Sequence, residues 1–133
     1  MRPILATLLL TSTLALACGG PVTPSHERGE RAFSDHAVPT AFEGLDLPWY
    51  GGRIVNSSPR SMTVSFTAEK ATVEQLREWW PAALADAGWT EKDRSLLGNG
   101  ALMTSWTTPE GRGAHLDIRP EGSLWWVHLI VDI

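Results

Sequence analysis

Apolar and polar side chains alternate along Ser61 to Ala68, which is the pattern of a half-buried β-strand. The apolar side chains on one side of this strand are those of Met62, Val64, Phe66 and Ala68. The preceding run from Arg53 to Ser57 has β-type composition, and Ser58-Pro59-Arg60 separates the two runs. We therefore expect two strands joined by a short turn.

A helix is predicted directly after this strand. Thr72 is a suitable N-cap, and Gln75 stands three residues later, as a capping box requires. Gly88 is placed to end the helix in a Schellman motif, with Trp89 packing back on Leu84. One apolar stripe at helical spacing connects these ends, formed by Val73, Leu76, Trp80, Ala83, Leu84 and Ala87.

Pro81 interrupts the helical pattern, because it removes one backbone hydrogen bond and clashes with the carbonyl of Arg77. The apolar stripe nevertheless keeps its phase across Pro81. We therefore expect one kinked helix rather than two separate helices.

Four further strands complete the pattern. They are expected at Trp89–Arg94, Ala101–Thr108, Arg112–Arg119 and Ser123–Ile133. Two similar turns, 108–112 and 119–123, join the last three strands, with proline at the first turn position and glycine at a positive φ. The sequence thus predicts an α+β fold, an antiparallel meander with one helix packed on one face.

The bulk composition restricts the class of protein. The chain has 133 residues, which favours one folded domain, and its net charge of −4 comes with scattered basic residues. A nucleic-acid-binding protein would show a basic stripe. Its single cysteine, Cys18, excludes an internal disulfide, and no Cys/His motif for a metal is present. We therefore expect no cofactor and no nucleic acid.

Residues 1–17 have the features of an export signal. Arg2 supplies an early positive charge, Ile4 to Leu16 is an uncharged apolar run, and small residues precede Cys18. The apolar run is shorter than the about 20 residues of a membrane-spanning helix. A signal peptide over residues 1–17 is therefore the prediction.

The stretch Leu14-Ala15-Leu16-Ala17-Cys18 resembles the lipobox of bacterial lipoproteins. The resemblance implies that the Cys18 thiol receives a diacylglyceryl group, that a signal peptidase cuts before it, and that a fatty acid such as palmitate is added to its new amino group. Two or three acyl chains would anchor the protein stably to a membrane. Gly19 after the cysteine implies passage to the outer membrane. An ordinary signal peptidase site at Ala15 and Ala17, giving a soluble secreted protein, is the alternative.

Residues 18–44 are expected to be the lipidated N-terminus and a flexible tether, and residues 45–133 the α+β domain. The stretch from Gly19 to Gly44 contains three prolines, few aliphatic residues and no helical or strand period. Such a segment buries too little apolar surface to offset the entropy lost on ordering.

One face of the predicted sheet is the candidate site. With Val127, Leu129 and Val131 turned toward the helix, the opposite face carries polar and aromatic side chains. These outward side chains are His115, Asp117, Arg119, Trp126, His128 and Asp132. An even-length loop at Glu121-Gly122 would place His115 opposite His128 and Asp117 opposite Trp126, and Ser105 would lie beside His115.

Three functions compete for this face. Ser105, His115 and Asp117 could form a hydrolytic group, although no oxyanion donors or G-x-S-x-G motif accompany them. His115 and His128 could share a metal with Asp117 or Asp132. Trp126 could instead bind a glycan or an envelope protein, unless Leu45–Tyr50 or the first hairpin covers it.

Trp49 and Tyr50 form a second candidate binding surface, as an aromatic loop platform, or else an anchor that ends the tether. The stretch from Thr63 to the C-terminus resembles small exported bacterial domains of unknown function. The sequence therefore favours a membrane-tethered envelope lipoprotein that acts as a binding or scaffolding module. A small hydrolase or metal-binding protein that uses the outward sheet face is the alternative.

Overall fold

The computed structural model describes residues 29–132, so the predicted signal peptide, Cys18, residues 19–28 and Ile133 lie outside the described residues. A short 3₁₀ turn, Thr40–Phe42, precedes one α-helix and six β-strands. The strands are β1 Arg53–Ser58, β2 Ser61–Thr67, β3 Thr90–Leu96, β4 Leu102–Thr107, β5 Gly113–Glu121 and β6 Leu124–Val131, and the helix α1 is Val73–Asp86. The predicted α+β class with an antiparallel sheet is confirmed.

All six strands form a single antiparallel sheet in the order β1-β2-β6-β5-β4-β3. Strands β3 to β6 follow one another as a meander, as expected. The first hairpin, however, joins this meander through its second strand, since β2 pairs with β6 from Ser61↔Ile130 to Thr67↔Leu124. The last strand of the chain is therefore central in the sheet rather than at an edge.

Both predicted ends of α1 are present in the structure. The Thr72 hydroxyl accepts a hydrogen bond from the Gln75 amide, and the Gln75 side chain accepts one from the Thr72 amide. At the other end the Trp89 amide donates to the Leu84 carbonyl, and Gly88 has φ +91°. This is the Schellman arrangement. Pro81 lies inside the uninterrupted helix, so the prediction of one helix is confirmed.

The core combines residues from the sheet, the helix and the segment before β1. Trp80 of α1 is fully buried, and its ring meets Phe66 of β2 edge-on, with 6.2 Å between centroids. The ring of Trp49 meets Trp80 in the same way at 6.0 Å. The strand residues of this core are Ile54, Met62, Val64, Phe66, Leu102, Trp106, Ala114, Leu116, Ile118, Val127, Leu129 and Val131. We call the sheet face that carries them the core face.

The packed structure begins before Leu45, within the segment that the composition assigned to the tether. Phe42 is 1% exposed and belongs to the core, and Val38 packs against it. Residues 30–32 lie along the edge of the sheet, since the Ala32 amide donates to the Gly52 carbonyl and the Gly51 amide to the Glu30 carbonyl. This segment therefore pairs with the backbone of Gly51 and Gly52, directly before the edge strand β1.

The polar composition of the segment does not predict this packing, because only a few of its side chains make the contacts that hold it in place. The Ser34 hydroxyl, for example, hydrogen-bonds the Ile54 carbonyl of β1. Within residues 29–132, no helix combines the length and apolar character needed to cross a membrane.

The contribution of the segment before β1 can be measured with two phenylalanine variants. Phe42→Ala should lower the free energy of unfolding by about 3–5 kcal/mol, because it removes a buried ring from the core. Phe33→Ala is the matched control, since Phe33 is 81% exposed, and should change stability by no more than about 0.5 kcal/mol. Urea unfolding followed by tryptophan fluorescence measures both. Equal small effects would show that residues before Leu45 are not part of the fold.

Candidate functional site

The sheet face opposite the core face carries the candidate residues, and we call it the outward face. The strand register arranges its side chains in rows that cross the sheet. One row runs Ser61, Ile130, His115, Ser105 and Asp93; the next runs Thr63, His128, Asp117 and Met103; a third runs Arg53, Ser65, Trp126 and Arg119. The outward orientation predicted for His115, Asp117, Arg119, Trp126 and His128 follows from this register.

The predicted partners across the last hairpin are wrong. His115 lies opposite Ile130, and His128 lies opposite Asp117, so the register is displaced by two residues from the expected one. The turn consists of Gly122 and Ser123, between the paired residues Glu121 and Leu124. Gly122 has φ +64°, as the first central residue of a type II′ turn requires.

Pro120, expected in the turn, is instead a strand residue opposite Trp125. At this end of the sheet the pairing of β4 with β5 stops at Leu102↔Ile118, so no residue of β4 lies opposite Pro120. Next to a two-residue turn, hydrogen-bonded and non-hydrogen-bonded pairs alternate, starting with a hydrogen-bonded pair at Glu121↔Leu124. Pro120 belongs to the next, non-hydrogen-bonded pair, so its nitrogen points away from β6. Its missing N–H therefore removes no hydrogen bond from the sheet.

Asp117 and His128 form the half-buried centre of the outward face. The Thr63 hydroxyl lies 2.9 Å from Nδ1 of His128, and Thr63 is only 6% exposed. Burial raises the pKa of the Asp117 carboxyl, opposed by the charges of His128, His115 and Arg119. Burial lowers the pKa of His128, opposed mainly by the Asp117 carboxylate. The sheet thus favours the uncharged form of both groups.

Ser105, His115 and Asp117 do not form a nucleophile–base–acid chain. Ser105 lies opposite His115, as predicted, but its hydroxyl donates to the Asp93 carboxylate at 3.4 Å. Nε2 of His115 faces the Asp132 carboxylate at 3.7 Å rather than Asp117. The hydrolytic arrangement therefore lacks the hydrogen bond between nucleophile and base that such chemistry needs.

The structure likewise does not assemble the ligand set of the alternative metal site. His115 and His128 are not cross-strand partners, because His115 pairs with Ile130. Among residues 29–132, His, Cys, Asp and Glu side chains form no group of three or more that could hold a metal ion.

The outward face is open rather than concave around these residues. The most prominent cleft has a volume of about 720 Å³ and lies at one end of the sheet, among Phe42, Arg60, Trp89 and Arg112. Neither this cleft nor the three smaller ones described for residues 29–132 is lined by Ser105, His115 or His128. A small-molecule active site would normally be a deeper pocket.

Trp126 and its neighbours give the outward face its apolar character. Trp126 is partly exposed, and its indole Nε1 is buried without a hydrogen-bond partner. Ile130 is also partly exposed, and Met103 is 46% exposed. A surface with a tryptophan, aliphatic side chains and polar groups between them is typical of a binding surface.

Trp49 and Tyr50 lie elsewhere and act as an anchor. The Tyr50 ring packs on Trp79 of α1 with 4.4 Å between centroids, and Trp49 packs on Trp80. The guanidinium of Arg31 lies 5.3 Å from the centroid of the Trp49 ring. The loop is therefore held against the helix. It does not cover Trp126.

A second feature, which the sequence does not predict, is a small basic cleft beside residues 30–32. Arg31, Arg53 and Lys70 line it, and they are far apart in the sequence. The pairing of residues 30–32 with Gly51 and Gly52 brings Arg31 to the other two. No local pattern in the sequence indicates that pairing.

No protein-family model, curated protein sequence or solved structure matches this chain significantly.

The electrostatics of His128 predict a pH dependence of stability. Its pKa is lower in the folded than in the unfolded protein, where it is about 6.5. The unfolded state therefore binds more protons as the pH falls below about 6.5, and stability decreases in that range. Urea unfolding at about pH 7.5 and about pH 5.5 should show a smaller loss for His128→Gln than for the wild type.

His36→Gln, the same replacement at an exposed position, controls for the substitution itself. An identical pH dependence in His128→Gln and the wild type would contradict the burial of His128 against β2 and β5.

Proposed function

We propose that this chain is a membrane-tethered lipoprotein of the bacterial cell envelope, whose domain binds or scaffolds an envelope component through its outward face. The observation that carries the binding part is the outward face itself. It presents Trp126, Ile130 and Met103 among polar side chains, and the core draws its helix and loop residues from the other side of the sheet.

In this proposal α1 and the segment 38–49 are packed together on the core face. The residues that they supply to the core support this, namely Leu76, Trp80, Ala83 and Leu84 from the helix and Phe42 and Leu47 from the segment. The outward face is then available to a partner. An open sheet face with an exposed part of a tryptophan ring suits a protein surface or a glycan whose sugar rings stack on Trp126.

The tether part of the proposal rests on the sequence Leu14 to Cys18. Acylation of Cys18 would place the domain at a membrane surface, with residues 19–28 between the lipid and Gly29. The anchor keeps the domain close to envelope partners, so that even a weak contact through the outward face is effective at high local concentration.

The anchor is tested by the intact mass and membrane fractionation of the expressed protein. The wild type should carry a lipid-sized mass increase on a chain that begins at Cys18 and should sediment with membranes. Cys18→Ala should lose both properties, because no other thiol can accept the lipid. Ser12→Ala, a neutral change in the leader, should behave as the wild type. An exported, unmodified and soluble wild type would overturn the anchor.

The binding surface is tested by photo-crosslinking in intact cells. A photoreactive residue at Met103, on the outward face, should form a discrete adduct with a glycan or protein of the envelope. The same residue at Glu74 of α1, whose side chain is 75% exposed, is the matched control and should not. Adducts of equal yield from both positions, or from Glu74 alone, would contradict binding through the outward face.

A further inference from the structure

A small basic cleft lies at the corner of the sheet where the described chain begins. Its volume is about 420 Å³, and three cationic side chains line it, those of Arg31, Arg53 and Lys70. One carboxylate, that of Glu30, also lines the cleft. The cleft is thus locally positive, although the whole chain has a net charge of −4.

The cleft also contains hydrogen-bond donors that suit an oxyanion. Ser65 and Thr67 of β2 line it with their hydroxyl-bearing side chains on the outward face. Guanidinium groups bind phosphate through paired N–H donors, and a lysine ammonium supplies a point charge. Three cations and two hydroxyls around one cleft therefore favour a phosphate group over a neutral ligand.

The packing around the cleft restrains two of its cations. The guanidinium of Arg31 lies over the Trp49 ring. Gly51 has φ +80°, and a Cβ at that position would lie 2.9 Å from Cδ of Lys70. The Lys70 stem thus rests on the bare backbone of Gly51, which leaves its ammonium at the cleft.

The charge extends from the cleft across the outward face. Arg53 and Ser65 are cross-strand partners, Ser65 pairs with Trp126, and Trp126 with Arg119. An arginine therefore stands at each end of a row that has Trp126 within it. Two acidic residues of β5 lie one row away from Arg119, Asp117 on one side and Glu121 on the other. Tryptophan flanked by basic residues is typical of surfaces that meet lipid headgroups.

The position of the cleft identifies the phosphate source. Glu30 and Arg31 follow Gly29 directly, and the chain from Cys18 to Gly29 reaches at most roughly 40 Å when fully extended. If Cys18 carries the lipid anchor, the cleft is the part of the domain nearest the membrane along the chain. This step rests on the proposed function.

We propose that the cleft formed by Arg31, Arg53, Lys70, Ser65 and Thr67 binds the phosphate groups of anionic phospholipids in the membrane to which the chain is tethered. The bound domain then stands with this end on the membrane. Arg60 and Arg112, in the β1–β2 and β4–β5 turns, lie at the far end of the sheet together with the 720 Å³ cleft. The proposal fixes the orientation of the domain as well as its location.

The test uses the mature protein without its acyl chains, residues 18–133 with Cys18→Ser, which retains every residue of the described core. Its co-sedimentation is measured with vesicles of phosphatidylcholine that contain phosphatidylglycerol, and with vesicles of phosphatidylcholine alone. Arg53→Gln/Lys70→Gln removes two cations from the cleft. Arg60→Gln/Arg112→Gln removes the same charge at the far end of the sheet and is the matched control. Far-UV circular dichroism and the Tm establish that both variants are folded.

The proposal expects binding to the anionic vesicles only, decreasing with added salt. The cleft variant should lose on the order of tenfold or more in apparent affinity, and the far-end variant clearly less. Equal losses in both variants, or no loss in either, would overturn the proposal.

Binding of inorganic phosphate that depends on Arg53 and Lys70, without retention on any vesicle, would also overturn it and would assign the cleft to a soluble phosphate compound. Failure to bind either probe would overturn the cleft as an anion site. None of these outcomes bears on the acylation of Cys18, because the protein tested carries no lipid.

Discussion

The burial of Trp80 between the sheet and the segment before β1 is the contact on which the rest of the fold depends. Its ring meets Phe66 on one side and Trp49 on the other, and it is fully buried. The helix that carries it has 14 residues and is therefore about 21 Å long. One helix of that length cannot cover a sheet of six strands about 4.8 Å apart.

The segment 38–49 supplies the missing cover. Phe42 and Leu47 enter the core, and Trp49 closes against Trp80. The pairing of residues 30–32 with Gly51 and Gly52 then fixes the position of residues 30–32 beside β1. The basic cleft at that corner is a consequence of the same packing, because it brings Arg31 beside Arg53 and Lys70.

The features that could be predicted from the sequence are those determined by neighbouring residues. The capping box of Thr72 and Gln75, the Schellman end at Gly88 and the alternation from Ser61 to Thr67 each depend on a few adjacent positions. Each such feature satisfies backbone groups or buries one face locally, so its sequence pattern is specific.

The two Pro-Glu-Gly sequences show that a local pattern does not determine the position of a turn. In the first, Gly111 has φ +89° and its amide donates to the Thr108 carbonyl, as expected. In the second, Pro120 stays in the strand and the turn moves to Gly122-Ser123. A displacement of two residues keeps every side chain on its face, so the hydrophobic pattern cannot distinguish the two registers. The difference decides whether His128 faces His115 or Asp117.

The burial of Phe42 and the basic cleft could not be predicted from the sequence for a different reason. A single aromatic residue in a polar segment has no period, and its burial depends on a gap left by distant elements. The outward face could be predicted as a face, with Trp126 and His128 on it, because alternation alone assigns residues to faces. Its chemistry could not be predicted, since that depends on which strands lie side by side.

The sheet has a closed face that carries the core and an open face that we propose contacts the envelope. At the centre of the open face, burial raises the pKa of Asp117 and lowers that of His128, whereas Arg53 and Arg119 flank Trp126 nearer residues 30–32. A lipid on Cys18 and a phosphate in the basic cleft would act on the same end of the molecule. The remaining part of the open face would then extend away from the membrane toward a partner.

Methionine oxidation by hydrogen peroxide tests the division of the sheet most directly. Met62 lies on the core face and is 1% exposed, whereas Met103 lies on the outward face and is 46% exposed. We predict rapid sulfoxide formation at Met103 and protection of Met62 in the folded protein, with both oxidised at similar rates in urea. Peptide mass spectrometry over time distinguishes the two sites. Protection of Met103 to the same degree as Met62 would show that the outward face is covered, and would contradict the account.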